Sequence, residues 1–197
     1  MRWQNLVRLS DTRNTIHQGQ VGGRAGHDAN TLTFMEEMKN EISYCSQKLL
    51  VNFDNNAALC YDRIIPNLAN LIGQKKGLHR NITFVHASTL AEAKFKLKTA
   101  LGLSKDYYQH YEAFLIYDTG QGSTNLPTIW LIISSTLFNI HKELSNGATF
   151  SDTIQEVEVH ITLVGCADDV TGQTNDFYNK NATPEELIHL MQEDAQV

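Results

Sequence analysis

Val164 to Gly172 read VGCADDVTG, with two adjacent acids, Asp168 and Asp169, set inside a stretch that is otherwise apolar or small. In the preceding EVEVHITLVG, Val157, Val159, Ile161 and Leu163 alternate with Glu156, Glu158, His160 and Thr162, the period of a strand with one buried face. The strand runs into Cys166 and Ala167, and Val170 to Gly172 can return as its partner, so the two acids are expected at a hairpin tip. An Asp-Asp pair in such a place is either a solvated turn, which Asp favours through local hydrogen bonds, or part of a metal site. The rest of the chain has to decide between them.

With 197 residues, 42% of them hydrophobic and 19% charged, the chain can bury one good core. No run reaches the roughly 18 to 20 apolar residues that cross a bilayer, and the opening MRWQNLVRLSDTRN is too polar for a signal peptide. An intracellular protein, neither secreted nor in a membrane, is expected, and the sequons at Asn81 and Asn181 then carry no meaning. Cys45, Cys60 and Cys166 are odd in number and lack a CxxC, which argues against a disulfide framework or a zinc cluster. A net charge of −6 and a pI near 5.7 exclude a surface that grips nucleic acid everywhere. Two local basic patches remain: Lys75, Lys76, His79 and Arg80, and Lys94, Lys96 and Lys98 alternating with Phe95 and Leu97.

Near the start, HQGQVGGRAGHD (His17 to Asp28) is too rich in glycine for regular structure and carries Arg24 on a loop. Asp28 can cap a following helix with Leu32, Met35, Ile42 and Cys45 on its inner face. Leu49 to Phe53 suit a buried strand that delivers Asp54 at its end. Helices are expected over Ile64 to Gly73 and Arg80 to Ala93, then a half-buried strand over Phe95 to Leu101 and another over Glu112 to Tyr117. DTGQGSTNLP follows, with Gly120 and Gly122 around Gln121, and Pro127 starts a helix with Ile129, Trp130, Ile133, Leu137, Ile140 and Leu144 on one face. Asn181 or Thr183 caps a last helix beginning at Pro184.

Taken in order, a strand ending in acid, a GQGS loop before a helix and a strand-turn-strand tipped by Asp-Asp resemble the palm of reverse transcriptases, particularly the retroelement type. The resemblance runs from about Gln18 to the end. The family has a Q-x-G-x-R-x-G loop, matched by Gln20, Gly22, Arg24 and Gly26; a first motif D-x-x-x-(A/C)-(F/Y)-D, whose end matches Cys60, Tyr61 and Asp62; a Q-G-S loop, matched by Gln121, Gly122 and Ser123; and an (F/Y)-x-D-D turn.

The resemblance implies an α+β fold: a polymerase fingers-palm fragment with an antiparallel palm sheet backed by helices, a partial fingers segment over 1–47 and a palm over 48–197, ending before a thumb. It implies RNA-directed DNA synthesis with Mg²⁺ or Mn²⁺, an RNA or DNA template-primer, deoxynucleoside triphosphates, and further polyprotein domains such as the thumb and a nuclease. Nucleotidyl transfer of this kind uses two metal ions roughly 3.5 to 4 Å apart, held by carboxylates from neighbouring strands. Asp168 would then be the metal ligand and Asp169 its partner. Gln121, Gly122 and Ser123 would lie along template and nucleotide, Arg24 near template or triphosphate, and Tyr61 against the sugar 2′ position, with Asp62 structural.

The first motif departs from the pattern. Its metal-binding aspartate should stand five residues before Tyr61, and that residue is Asn56. Asp54 is the nearby acid, on the same strand face but about 6.6 Å earlier. Cys166 also replaces the usual aromatic of the turn, and Ala25 and His27 differ from many relatives. Two functional expectations therefore stand side by side, a polymerase weakened at Asn56 and a catalytically inactive retroelement remnant that binds nucleic acid weakly.

Overall fold

The computed structural model describes residues 3–57, 60–110, 116–117, 123–152, 157–176 and 181–197. The chain opens with helix α1 (Trp3–Thr12), a glycine loop and α2 (Ala29–Cys45), followed by strand β1 (Val51–Asn56), α3 (Pro66–Lys75) and α4 (Arg80–Ala91). Four two-residue strands follow, β2 (Lys94–Phe95), β3 (Lys98–Thr99), β4 (Gly102–Leu103) and β5 (Tyr108–Gln109). Then come α5 (Leu126–Leu144), β6 (Ala148–Asp152), β7 (Val157–Ile161), β8 (Leu163–Cys166), β9 (Asp169–Thr174) and α6 (Pro184–Asp194). The expected strand over Glu112 to Tyr117 falls largely outside the described residues. No helix among the described residues is long and apolar enough to cross a membrane.

The helix starts follow from capping chemistry. Asp28 accepts from Thr31 N–H while the Thr31 hydroxyl accepts from Asp28 N–H, and Thr183 and Glu186 make the same reciprocal pair under α6. Pro66 and Pro127 occupy first-turn positions, where a missing N–H costs nothing. The main core gathers Trp3 and Leu6 of α1, Ala69 of α3 and Ile129, Ile132 and Ile133 of α5 with Ile64, Leu78 and Leu126. Burying one such side chain contributes roughly 1.5–3 kcal/mol before entropy is counted.

Beside this core lies an antiparallel sheet in the order β1-β9-β8. Its register pairs Val51 with Thr174 through Asn56 with Asp169, and Leu163 with Gly172 through Cys166 with Asp169. Gly172 makes room for the Phe53 ring lying over it, since a Cβ there would be 1.9 Å from a ring carbon. The outer edge of β8 is covered by the glycine loop: Gly165 N–H donates to Gly19, and Val21 N–H donates to the Gly165 carbonyl.

Five expectations need correction. The strand expected to be buried over Leu49 to Phe53 instead runs Val51–Asn56, carries Asp54 within it and is largely exposed, with Leu49 48% exposed. EVEVHITLVG is two strands, because the chain changes partner at the buried Thr162: β7 pairs with β6 and β8 with β9. Val157 and Val159 consequently lie on a small separate ladder and are each 48% exposed. Lys94 to Thr99 is exposed on both sides instead of half-buried. On α2 the inner positions are Lys39 and Ser43, while Phe34, Met38 and Ile42 face solvent; Lys39 is held by Glu36 at 2.7 Å, which in turn accepts from Gln173. On α5 the buried face is rotated, taking in Leu131, Ile132, Ser134, Ser135, Phe138 and His141, while Leu137, Ile140 and Leu144 are exposed.

Candidate functional site

Asp168 and Asp169 are at the tip of the β8–β9 hairpin, whose last pair is Cys166 with Asp169. Ala167 turns the chain with φ 57°, a left-handed conformation that glycine adopts without strain and alanine does not. The surroundings hold it there. Trp130 of α5 donates its indole N–H to the Ala167 carbonyl, and Gly22 lies directly beneath the turn. A Cβ at Gly22 would be 2.4 Å from the Ala167 nitrogen, a backbone atom that cannot swing aside. Gly22→Ala is therefore expected to cost about 1–3 kcal/mol, the scale of overpacking, read as a fall in the urea midpoint.

The loop beneath the turn is fixed by buried polar contacts. Gln20 is fully buried; its amide donates to Ser134 Oγ at 2.7 Å and its carbonyl accepts from Gly22 N–H at 3.0 Å. His17 N–H donates to Ser135 Oγ, and His17 Nδ1 accepts from Gly19 N–H at 3.1 Å, which requires that nitrogen to be unprotonated. Burial, helped by the charges of Lys142 and His141, brings the His17 pKa down to about 4. Between the unfolded value near 6.5 and about 4 the unfolded chain binds the extra proton, so stability is complete above that window and falls as pH drops through it. The urea midpoint should fall between pH 7 and pH 4.5, and fall less in His17→Asn, whose carbonyl can still accept.

Across the ladder, β1 brings its own polar residues to the tip. Asn56 is paired with Asp169, and its amide donates to Asp169 Oδ1 at 3.3 Å. Ala57 N–H donates to the Asp168 carbonyl at 2.8 Å, extending the contact to the turn. Asp54 stands two residues back on the same face, opposite Thr171, whose hydroxyl donates to Asp54 Oδ1 at 2.7 Å. Asp168 is half-buried, while Asp54, Asn56 and Asp169 are exposed.

Thus the Asn56 and Asp169 side chains meet, the Asp168 backbone is tied to Ala57, and Asp54 is held one ladder step away. Among the described residues, no group of three or more His, Cys, Asp or Glu is placed to hold a metal ion. One carboxylate facing an amide, with Asp168 joined to β1 through its backbone carbonyl, does not fit a pair of Mg²⁺ or Mn²⁺ ions, which demand converging negative oxygen ligands.

Tyr61 packs edge-on against Trp130, with ring centroids 6.3 Å apart. Its phenol is pushed up by burial, then by Cys60, Asp168 and Cys166, which places it beside the acidic turn. The Cys166 thiol is also pushed up, by burial and then by Asp169, Asp28 and Asp168, so it is kept from the nucleophilic thiolate form. Arg24 is turned into the protein: it donates to Asp11 at 2.7 Å and to the carbonyls of Gln18 and Gln20. In this arrangement it braces the loop. Ser123 is exposed, with its Oγ accepting from Asn125 N–H just before α5; Gln121 and Gly122 lie outside the described residues.

Sequence reasoning assigned Trp130 to the helix core and left Gln20 as a motif match alone. Their hydrogen bonds make both of them supports of the acidic turn. The signal for Gln20 lay in its place between glycines, where a long amide is available to replace missing secondary structure.

No protein-family model matches the chain, and no curated protein matches it. Among solved structures it is similar to apo telomerase from Candida tropicalis truncated from its C-terminal domain, with a TM-score of 0.59 and 18% sequence identity. The match covers 98% of this chain and 36% of that one, so the chain spans about a third of the neighbour's length. At this identity the likeness speaks for the fold alone. The chain has an α+β fold like that of this telomerase, with an antiparallel sheet backed by helices.

Proposed function

We propose that the chain is the palm-bearing part of a nucleic-acid polymerase of the reverse-transcriptase kind, related to retroelement enzymes. It would act on an RNA or DNA template-primer with deoxynucleoside triphosphates, and its metal site is one carboxylate short. The observation that carries the reading is the β1–β9 ladder, which sets Asn56 opposite Asp169 beside the Asp168 turn. Support also comes from the telomerase-like fold and from the glycine loop seated under the turn.

The same ladder limits the chemistry. An amide supplies no negative charge, and Asp54 is engaged by Thr171, so divalent metal binding and synthesis by the native chain should both be weak. The experiment is primer extension by the native chain and by Asn56→Asp, in Mg²⁺ and in Mn²⁺. Synthesis gained with the substitution supports the proposal. Robust synthesis by the native chain would remove the deficiency from it, and template-primer binding without synthesis by either protein would favour the inactive remnant, which the Asn56 amide also suits.

A further inference from the structure

Lys94 to His110 read KFKLKTALGLSKDYYQH, four lysines against the single acid Asp106, in a chain whose net charge is −6. The segment folds back on itself. β2 pairs with β5, matching Lys94 with Gln109 and Phe95 with Tyr108, and β3 pairs with β4 through Lys98 with Leu103 and Thr99 with Gly102. Between the two ladders Ser104 N–H donates to the Leu97 carbonyl, and Leu97 N–H donates to Ser104 Oγ at 3.0 Å, so one excursion runs from Lys94 out to a tip at Ala100–Leu101 and back.

Its side chains sort into two groups. Phe95 stacks on Tyr108 with ring centroids 5.3 Å apart and meets His110 edge-on, which braces the base of the hairpin. Lys94, Lys96 and Lys98 occupy the alternate positions, and Lys96 Nζ lies 4.5 Å from the centroid of the Tyr107 ring. These lysines are exposed, and among the described residues no acidic side chain pairs with them. Tyr107 is 64% exposed.

We infer that this hairpin binds single-stranded nucleic acid, with Lys94, Lys96 and Lys98 on successive phosphates and the Tyr107 ring under an unpaired base. The chemistry is specific in two respects. A row of cations stepped at every second residue suits an extended phosphate backbone, and it stands out from an acidic chain, so charge complementarity selects a polyanion. An exposed ring beside the row has a free use only where bases are unstacked, which favours a single strand over a duplex. On binding, Lys96 exchanges the ring for a phosphate and the base takes its place over Tyr107. This site is independent of the polymerase reading, because it is read by binding and needs no synthesis.

The test uses the full chain and fluorescence anisotropy with labelled oligothymidylate, oligouridylate and a duplex of equal length, across a salt series. The native chain should prefer the single strands. Replacing Lys94, Lys96 and Lys98 together by Gln should flatten the plot of log affinity against log salt by about 2, at about 0.7 per lost phosphate contact. Replacing the same three by Arg should restore the slope. Tyr107→Ala should weaken binding roughly tenfold, and Tyr107→Phe should not, since stacking needs the ring and not the hydroxyl. Circular dichroism of each variant excludes unfolding as the cause. Equal slopes for the native and Gln proteins, equal affinity for duplex and single strand, or insensitivity to Tyr107→Ala would each overturn the inference.

Discussion

Asn56→Asp should raise primer extension on the order of 10²-fold or more, the scale at which a single electrostatic group acts in an active site. The geometry makes this substitution unusually direct. The β1–β9 register already holds position 56 opposite Asp169, and Ala57 N–H is tied to the Asp168 carbonyl, so a carboxylate introduced there needs no movement of the backbone to stand beside the Asp169 carboxylate at the turn. Without metal, the carboxylates at 56 and 169 repel, and the melting temperature of the variant should fall below that of the native chain. Adding Mn²⁺ should then raise it through linkage, while the native chain responds little. If Mn²⁺ stabilises both proteins equally, position 56 does not complete the site, and the ladder has been misread as the place where metal is held.

A comparably large effect on folding is expected at Asp194. This carboxylate is 2% exposed and accepts from Asn146 N–H and its side-chain amide, from Gly147 N–H and from the Thr174 hydroxyl. His141 Nε2 lies 3.0 Å from the Asp194 carbonyl, adding a contact through the backbone. One side chain thus fastens the end of α6 to the α5–β6 connection and to the last residue of β9. Asp194→Ala orphans several buried donors at once, at about 1–3 kcal/mol for each that finds no water, so a loss of about 3 kcal/mol or more is expected in urea unfolding. Asp194→Asn keeps one acceptor oxygen and should lose less. Equal costs for the two would mean that packing, not hydrogen bonding, holds the helix.

Which features the sequence disclosed follows from where the determining forces act. Helix starts were legible because a cap is local: Asp28, Thr183 and Pro127 each work within a few residues of themselves. The hairpin tip was legible for the same reason. The inner face of α2 was not, since Lys39 and Ser43 are turned inward through partners elsewhere, Glu36 and the sheet residue Gln173. Nor could alternation reveal that the chain changes partner at Thr162, because both halves keep a period of two whichever strand they join. At the site itself, the resemblance placed Asn56 where the family motif has its metal-binding aspartate, but the engagement of Asp54 by Thr171 and of Arg24 by Asp11 depends on chain segments far apart.

The glycine loop that seals the outer edge of β8 also bears on how the protein folds. Gln20 and its partner Ser134 are separated by 114 residues, so this closure waits for nearly the whole sheet and α5 to be in place. Until then β8 presents unpaired N–H and C=O groups next to an apolar run, the kind of edge on which other chains add strands. Aggregation during refolding should therefore be governed by residues 17–22, and a substitution such as Gly22→Ala should lower the yield of soluble protein by more than its effect on the finished fold.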